Sequence, residues 1–124
     1  MDFKIDTKES FTIIMPDAGR ISANMTDALL DKWEEVRQSG SNNFIIDLTN
    51  CAEVDISAIT SLVDMHEKSY SGDSSLVFTG ISNQILAVLK SEEADLILNI
   101  APQMQEAIDI ISMEILERDL LSEE

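Results

Sequence analysis

The stretch "FIIDLTNCAEVDISAITSLVD", residues 44–64, joins a short apolar run to a segment with helical periodicity. The run at 44–48 is nearly continuous in apolar residues, which is typical of a strand that is buried on both faces, often in a parallel sheet. The apolar residues that follow recur every three or four positions, and this predicts a helix over about 57–70. The stretch therefore predicts a central strand followed by a helix that covers it.

Strand and helix patterns also alternate on both sides of this stretch. The N-terminal part predicts a hairpin of strands 3–8 and 11–15 around Glu9 and Ser10, then a helix over about 25–38 with Asn24 as its cap. The C-terminal part predicts a strand at 76–80, a helix over about 83–91 capped by Ser82, a last short strand at 95–98, and a fourth helix with Pro102 in its first turn. This order favours an α/β fold in which about four helices cover a mixed sheet of four to five strands.

Length and composition indicate a single globular domain. The chain has 124 residues, of which 44% are hydrophobic and 26% charged, the usual mixture for a protein that folds alone. The N-terminus lacks the pattern of a signal peptide, and no apolar run approaches the about 18 residues of a membrane span. Cys51 and His66 are each the one residue of their type, so an internal disulfide or a zinc site of thiolates and imidazoles cannot form. We expect a cytoplasmic protein.

The formal charge of the chain is −16, from 24 acidic and 8 basic residues. Such a surface repels phosphate backbones and anionic lipid heads, so we expect neither nucleic acid nor a membrane as partner. A protein with a basic or mixed face would instead be steered towards it. The charge can equally serve solubility, and the sequence leaves both explanations open.

Ser57 opens the predicted second helix and has two interpretations. At 100° per residue, the positions of Ala58, Ile59, Leu62, Val63, Met65 and His66 share one arc. Ser57 lies in the middle of the opposite arc, with Thr60, Ser61 and Asp64. Serine is a good N-cap, and spacing alone favours that role. If Asp55 caps instead, the hydroxyl of Ser57 is not needed to hold the helix end and is free for chemistry.

The remaining reactive residues do not predict a catalytic site. His66 lies at the edge of the apolar arc and is interpreted as a partly buried histidine, not a base. Cys51 follows the central strand and is interpreted as a small buried residue. The glycines at 19, 40, 72 and 80 are scattered, so no nucleotide-binding loop is visible. We expect neither an enzyme nor a cofactor.

Three segments together resemble the STAS domain, specifically a bacterial anti-sigma factor antagonist. They are "GRIS" at 19–22, the stretch at 44–64, and "LVFTGISNQILAVL" at 76–89. The resemblance covers nearly all of residues 3–112. It implies a STAS domain over 1–112 and an acidic C-terminal extension over 113–124, either helical or frayed; the sequence slightly favours fraying, because chain ends fray unless they are tied down.

The resemblance also implies a switching cycle. In that family an anti-sigma factor, which is a serine kinase of the histidine-kinase-like ATPase type, phosphorylates a serine at the start of the helix after the central strand, and a PP2C-type phosphatase removes the phosphate. That serine corresponds to Ser57. The unmodified antagonist binds the anti-sigma factor and the phosphorylated form releases it. The implied partner surface consists of Gly19, Arg20, Asp55, Ile56, Ala58, Thr60, Ser61 and Asp64.

Two departures from the family pattern keep a second function open. Ile56 stands where the family has another serine, and Ala58 stands where it has a glycine. The alternative is therefore a STAS module that works without phosphorylation, as a scaffold or a ligand-binding regulatory module. A phosphoaspartate receiver built on Asp47 is a weaker alternative, because residues 14–18 offer only Asp17 for the acidic pair that such a domain needs.

Overall fold

The computed structural model of the protein describes residues 2–122. The strands are β1 (Asp2–Thr7), β2 (Thr12–Asp17), β3 (Arg20–Ile21), β4 (Phe44–Asp47), β5 (Glu53–Val54) and β6 (Leu76–Thr79). The helices are α1 (Ala23–Gln38), α2 (Ile56–Ser71), α3 (Asn83–Ser91) and α4 (Met104–Ser122), with a short 3-10 helix at Ala94–Leu96. None of the helices within 2–122 has the length and apolar composition to cross a membrane.

The main sheet is mixed, with strand order β1-β2-β4-β6. Strands β1 and β2 form the antiparallel hairpin, whereas β2, β4 and β6 run parallel. Strands β3 and β5 make a separate parallel pair. The predicted α/β fold is confirmed, and β4 is the internal parallel strand that its apolar run predicted.

The alternation of side chains along the strands divides the core between the two faces of the sheet. Phe44, Ile46 and Phe78 belong to the larger cluster, which α1, α2 and α3 cover. Ile45 and Val77 point the other way and pack with Ala107 and Ile111 of α4. Burial on both faces explains why β4 and β6 read as continuous apolar runs.

Two predictions about helix starts and one about a strand are wrong. Helix α1 is capped by Ser22, whose Oγ accepts a hydrogen bond from the N–H of Met25 at 3.3 Å, so Asn24 already lies inside the helix. Residues 95–98 form no strand, because Leu98 donates back to the carbonyl of Ala94 at 2.9 Å and closes a turn. Pro102 precedes α4, since Ala101 donates to the carbonyl of Phe78 at 2.9 Å and stays extended beside β6.

Helix α4 continues through residue 122, which corresponds to the helical one of the two alternatives that the sequence left open. Polar contacts on its inner side hold its second half. Oε1 of Glu114 accepts hydrogen bonds from the hydroxyls of Tyr70 at 2.8 Å and Ser75 at 2.6 Å. Arg118 donates to Oγ of Ser75 at 3.0 Å. Residues 123 and 124 lie outside the described residues, and the domain boundary at 112 stays a prediction.

Candidate partner-binding site

Ser57 is the second residue of α2, and its side chain is exposed. The N-cap position belongs to Asp55. Of the two interpretations that the sequence left open, the structure therefore selects the one in which Asp55 holds the cap position. The hydroxyl of Ser57 lies beyond the cap, at the solvent surface.

Arg20 reaches this helix end through the small β3–β5 pair. Strand β3 places Arg20 opposite Glu53, and the N–H of Asp55 donates to the carbonyl of Ile21 at 2.8 Å. The carbonyl of Gly19 accepts from the N–H of Ala52 at 2.9 Å. These backbone bonds bring the Gly19-Arg20 loop beside the first turn of α2, although the two segments are 35 residues apart.

The guanidinium of Arg20 pairs with the Asp55 carboxylate. Nε and Nη2 of Arg20 both meet Oδ1 of Asp55, and Nη1 lies 3.8 Å from Oε2 of Glu53. Among residues 2–122, the Asp55 side chain makes no capping hydrogen bond to α2. Because the pair is largely exposed, it adds little to stability. The pair instead orients the Asp55 carboxylate, which faces Arg20 and, within the described part of the chain, makes no capping bond to α2.

Most of the predicted surface residues of α2 do face solvent. Thr60 and Asp64 are exposed, Ser61 is half-buried, and Ile56 is 61% exposed. Ala58 is the exception and requires a correction, because its side chain is fully buried in the core under α2. Its methyl group packs inwards and is not part of a partner surface.

A shallow groove of about 270 Å³ runs along this face. Its lining consists of Ile56, Ile59, Thr60, Val63, Asp64 and Glu92. Sequence reasoning assigned Ile59 and Val63 to the apolar arc and missed their place here, although both lie at the edge of that arc next to Thr60. Glu92 follows α3, and no local pattern could have placed it beside Ile56.

The family assignment rests on a sequence match that spans most of the chain. The sequence model described as "STAS domain" matches residues 2–107, which is most of the chain. The chain belongs to the STAS domain family. The resemblance seen in the sequence is thereby confirmed, and no curated protein gives a significant match.

Solved structures similar to this STAS domain include anti-sigma factor antagonists. A candidate antagonist from Thermotoga maritima has a TM-score of 0.75 and 18% identity over 89% of this chain and 94% of that one. SpoIIAA in its unphosphorylated form has a TM-score of 0.71 and 12% identity over 90% and 96%; a structure of the phosphorylated form names it a Bacillus cell fate determinant. SLC26A9 has a TM-score of 0.64 and 14% identity over 92% of this chain but 21% of that one. At these identities the likeness shows a shared fold.

Three further titratable side chains of the STAS domain, those of Cys51, His66 and Asp47, are wholly or partly buried. Burial raises the pKa of the Cys51 thiol and lowers the pKa of the half-buried His66. Oδ1 of Asp47 accepts from the N–H of Thr49 at 3.0 Å and from its hydroxyl at 2.5 Å, which is a structural role. Within 2–122, no cluster of three or more His, Cys, Asp or Glu side chains could hold a metal ion.

Proposed function

We propose that this STAS domain is a cytoplasmic anti-sigma factor antagonist that binds an anti-sigma factor with serine kinase activity and is released when Ser57 is phosphorylated. One observation carries the proposal: Ser57 is exposed on the first turn of α2, while Asp55 occupies the cap position and pairs with Arg20. The partner would be a kinase of the histidine-kinase-like ATPase type, and a PP2C-type phosphatase would reverse the modification.

The position of Ser57 is compatible with a phosphate in the folded protein. A phosphate adds about −1.5 to −2 charges, and an anion at an exposed helix N-terminus is stabilised by roughly 0.3–1 kcal/mol. The side chain points into solvent, so the added bulk displaces no core residue. The modified domain should therefore keep its fold.

The same phosphate should disrupt an interface built on this face. The neighbouring groove already carries Asp64 and Glu92, so the added charge increases repulsion and must be desolvated on binding. A loss of about 3 kcal/mol would weaken binding roughly a hundredfold. Release then follows from a local change of charge, with no rearrangement of the domain.

The groove beside Ser57 indicates what the partner presents there. Ile56, Ile59 and Val63 supply apolar surface, and Asp64 and Glu92 border it. An apolar side chain of the partner would enter this groove, with basic residues at its rim meeting the carboxylates. Arg20 and the backbone of Gly19 would border the contact from the neighbouring loop.

The test uses a candidate partner kinase of the histidine-kinase-like ATPase type. We expect incubation with that kinase and ATP to add one phosphate to Ser57, mapped by mass spectrometry. Ser57→Ala should abolish the labelling, whereas Ser61→Ala, on the same side of the helix, should retain it. In binding assays, Ser57→Ala should bind constitutively and Ser57→Asp about a hundredfold more weakly. Equal affinities of these two variants for the kinase would refute the switch.

A second candidate function is a STAS module that holds a partner without phosphorylation, as a scaffold or a ligand-binding regulatory subunit. The observation that favours it is Ile56, a 61% exposed apolar side chain directly beside Ser57. An apolar groove can bind a partner whether or not a kinase acts on it. Failure of Ser57 to be labelled, together with partner binding that Ser57→Asp leaves unchanged, would identify this function.

A further inference from the structure

Helix α4 carries a second apolar stripe on the side that faces away from the sheet. Met113, Leu116 and Leu120 are between 56% and 62% exposed. At 100° per residue they lie within about 60° of one another, roughly opposite the buried Ala107 and Ile111. A helix that is apolar on opposite sides is normally covered on both. In the part of the chain that the structure describes, the outer stripe is not covered.

The polar contacts on the inner side of α4 fix this orientation. Glu114 accepts from Tyr70 and Ser75, and Arg118 donates to Ser75 and to Oδ1 of Asn43, the last at 2.9 Å. Rotating the helix to bury Leu116 and Leu120 would break all of these bonds, and buried polar groups that lose their partners are costly. The stripe is therefore presented outwards by a firmly held helix.

The stripe lies outside the segment that the family model matches. The family match ends at residue 107, and Met113, Leu116 and Leu120 all follow it. They are spaced by three and then four residues, which is the spacing of the seam between two helices of a coiled coil. The occupant with matching geometry is another helix.

The charges beside the stripe decide what kind of helix fits. By angular position, three acidic residues lie on the same side of α4 as the stripe: Glu106, Asp109 and Glu117. Over residues 104–122 the one basic side chain is Arg118, which is engaged with Ser75 and Asn43 on the inner side. If α4 of a second copy packed on this stripe, carboxylates would face carboxylates, and the repulsion would disfavour the dimer. A helix flanked by lysine or arginine is complementary.

We propose that the outer face of α4 binds a basic amphipathic helix of a partner protein. Its leucine or isoleucine side chains pack on Met113, Leu116 and Leu120, and its lysine or arginine side chains pair with Asp109 and Glu117. This surface is separate from the Ser57 surface, so the proposal does not depend on the phosphorylation switch. It gives the protein a second attachment point.

The test measures binding of a labelled synthetic helix to the full chain by fluorescence anisotropy. The probe is a peptide of about three heptads with leucine at the seam and lysine beside it; the control peptide carries glutamate in place of lysine. We expect the lysine peptide to bind, with an affinity that falls as salt rises, and the glutamate peptide not to bind. The double variant Leu116→Ser/Leu120→Ser should bind the lysine peptide at least about tenfold more weakly.

Two further variants serve as controls. Leu96→Ser removes a leucine that is 78% exposed outside α4, and it should leave peptide binding unchanged. Ser57→Asp should also leave it unchanged, which separates this proposal from the proposed function. Circular dichroism should show that the double variant is folded, as expected for substitutions at exposed positions.

Several results would overturn the proposal. These are no binding of the lysine peptide, binding by the glutamate peptide of equal strength, or unchanged binding by the double variant. Sedimentation equilibrium that shows a dimer, lost in the double variant, would make a second copy the occupant. Binding to phosphatidylcholine vesicles that the double variant loses would make it a lipid surface.

Discussion

Gly80 shows how one residue holds the end of the central strands. Its φ is +71°, a conformation that glycine adopts without strain. A Cβ atom at this position would meet Oδ1 of Asp47 and Oγ1 of Thr49. The close approach lets the Asp47 carboxylate bond Thr49 just after β4, and so shapes the turn that leads towards β5 and the candidate site.

The substitution Gly80→Ala should therefore destabilise the protein by about 1–3 kcal/mol, from backbone strain and the clash together. Urea unfolding followed by circular dichroism measures this loss. Gly19→Ala is the matched control, because a Cβ there meets no atom within 4 Å, and it should cost less than about 0.5 kcal/mol. Equal losses for both variants would contradict the explanation.

His66 makes stability depend on pH. Desolvation lowers its pKa in the folded protein, against smaller opposite effects of Glu67 and Glu114. Among the described residues, its Nδ1 has no hydrogen-bond partner. The unfolded chain then binds a proton more readily than the folded one. This contribution to stability is complete above the unfolded pKa and falls as the pH drops through 6.5 towards the folded pKa.

We predict that His66→Gln flattens the pH dependence of the unfolding free energy between about pH 7.5 and 5.5. Subtracting the variant curve from the wild-type curve removes the contribution of the carboxylates, which both proteins share. The difference should fall with decreasing pH. Parallel curves would show that His66 is equally basic in both states.

At the scale of elements, α4 depends on contacts that no local pattern predicts. Glu114 binds Tyr70 at the end of α2 and Ser75 just before β6, and its Oε2 accepts from Asn99 at 3.2 Å. These partners come from three separate segments. The sequence slightly favoured fraying because residues 113–124 are a chain end. The three residues that bind Glu114 become its neighbours only after the sheet has formed.

Glu114→Ala should destabilise the protein by about 1–3 kcal/mol, because it leaves the hydroxyls of Tyr70 and Ser75 without this acceptor. Hydrogen exchange should show amides 115–121 protected in the wild type and less protected in the variant. The control Glu117→Ala changes an exposed carboxylate in the same helix and should leave both readings nearly unchanged. Unprotected wild-type amides at 115–121 would refute the anchoring role.

At the scale of the whole molecule, the charge of −16 opposes folding by self-repulsion. We expect the unfolding free energy to increase between about 0.05 and 0.5 M NaCl, since the Debye length shortens over this range. Thermal unfolding monitored at constant pH measures it. KCl should act equally if screening is the cause. A midpoint that is unchanged or lower at high salt would show that repulsion does not limit stability.

The sequence alone determined the order of the four helices and of the strands β1, β2, β4 and β6, the central strand at 44–48 and the exposed side of α2. These features depend on apolar periodicity, which each segment carries within itself. Element ends were less predictable. Asn24 and Pro102 are residues that favour helix starts, but the side chain of Ser22 caps α1. The backbone bond from Ala101 to Phe78 holds the chain beside β6 before α4 begins.

Only the tertiary structure decided how the candidate site is assembled. Three of its features depend on which segments pack together. They are the pairing of Arg20 with Asp55, the shared groove of Glu92 and Ile56, and the burial of the Ala58 methyl group. The parallel β3–β5 pair joins Arg20 to Glu53 and Ile21 to Val54 across a long stretch of chain, and such pairing leaves no mark on the local sequence. The sequence determined that Ser57 would lie on the solvent-exposed side of α2. Packing determined that Asp55 would hold the cap position and that Arg20 would lie beside it.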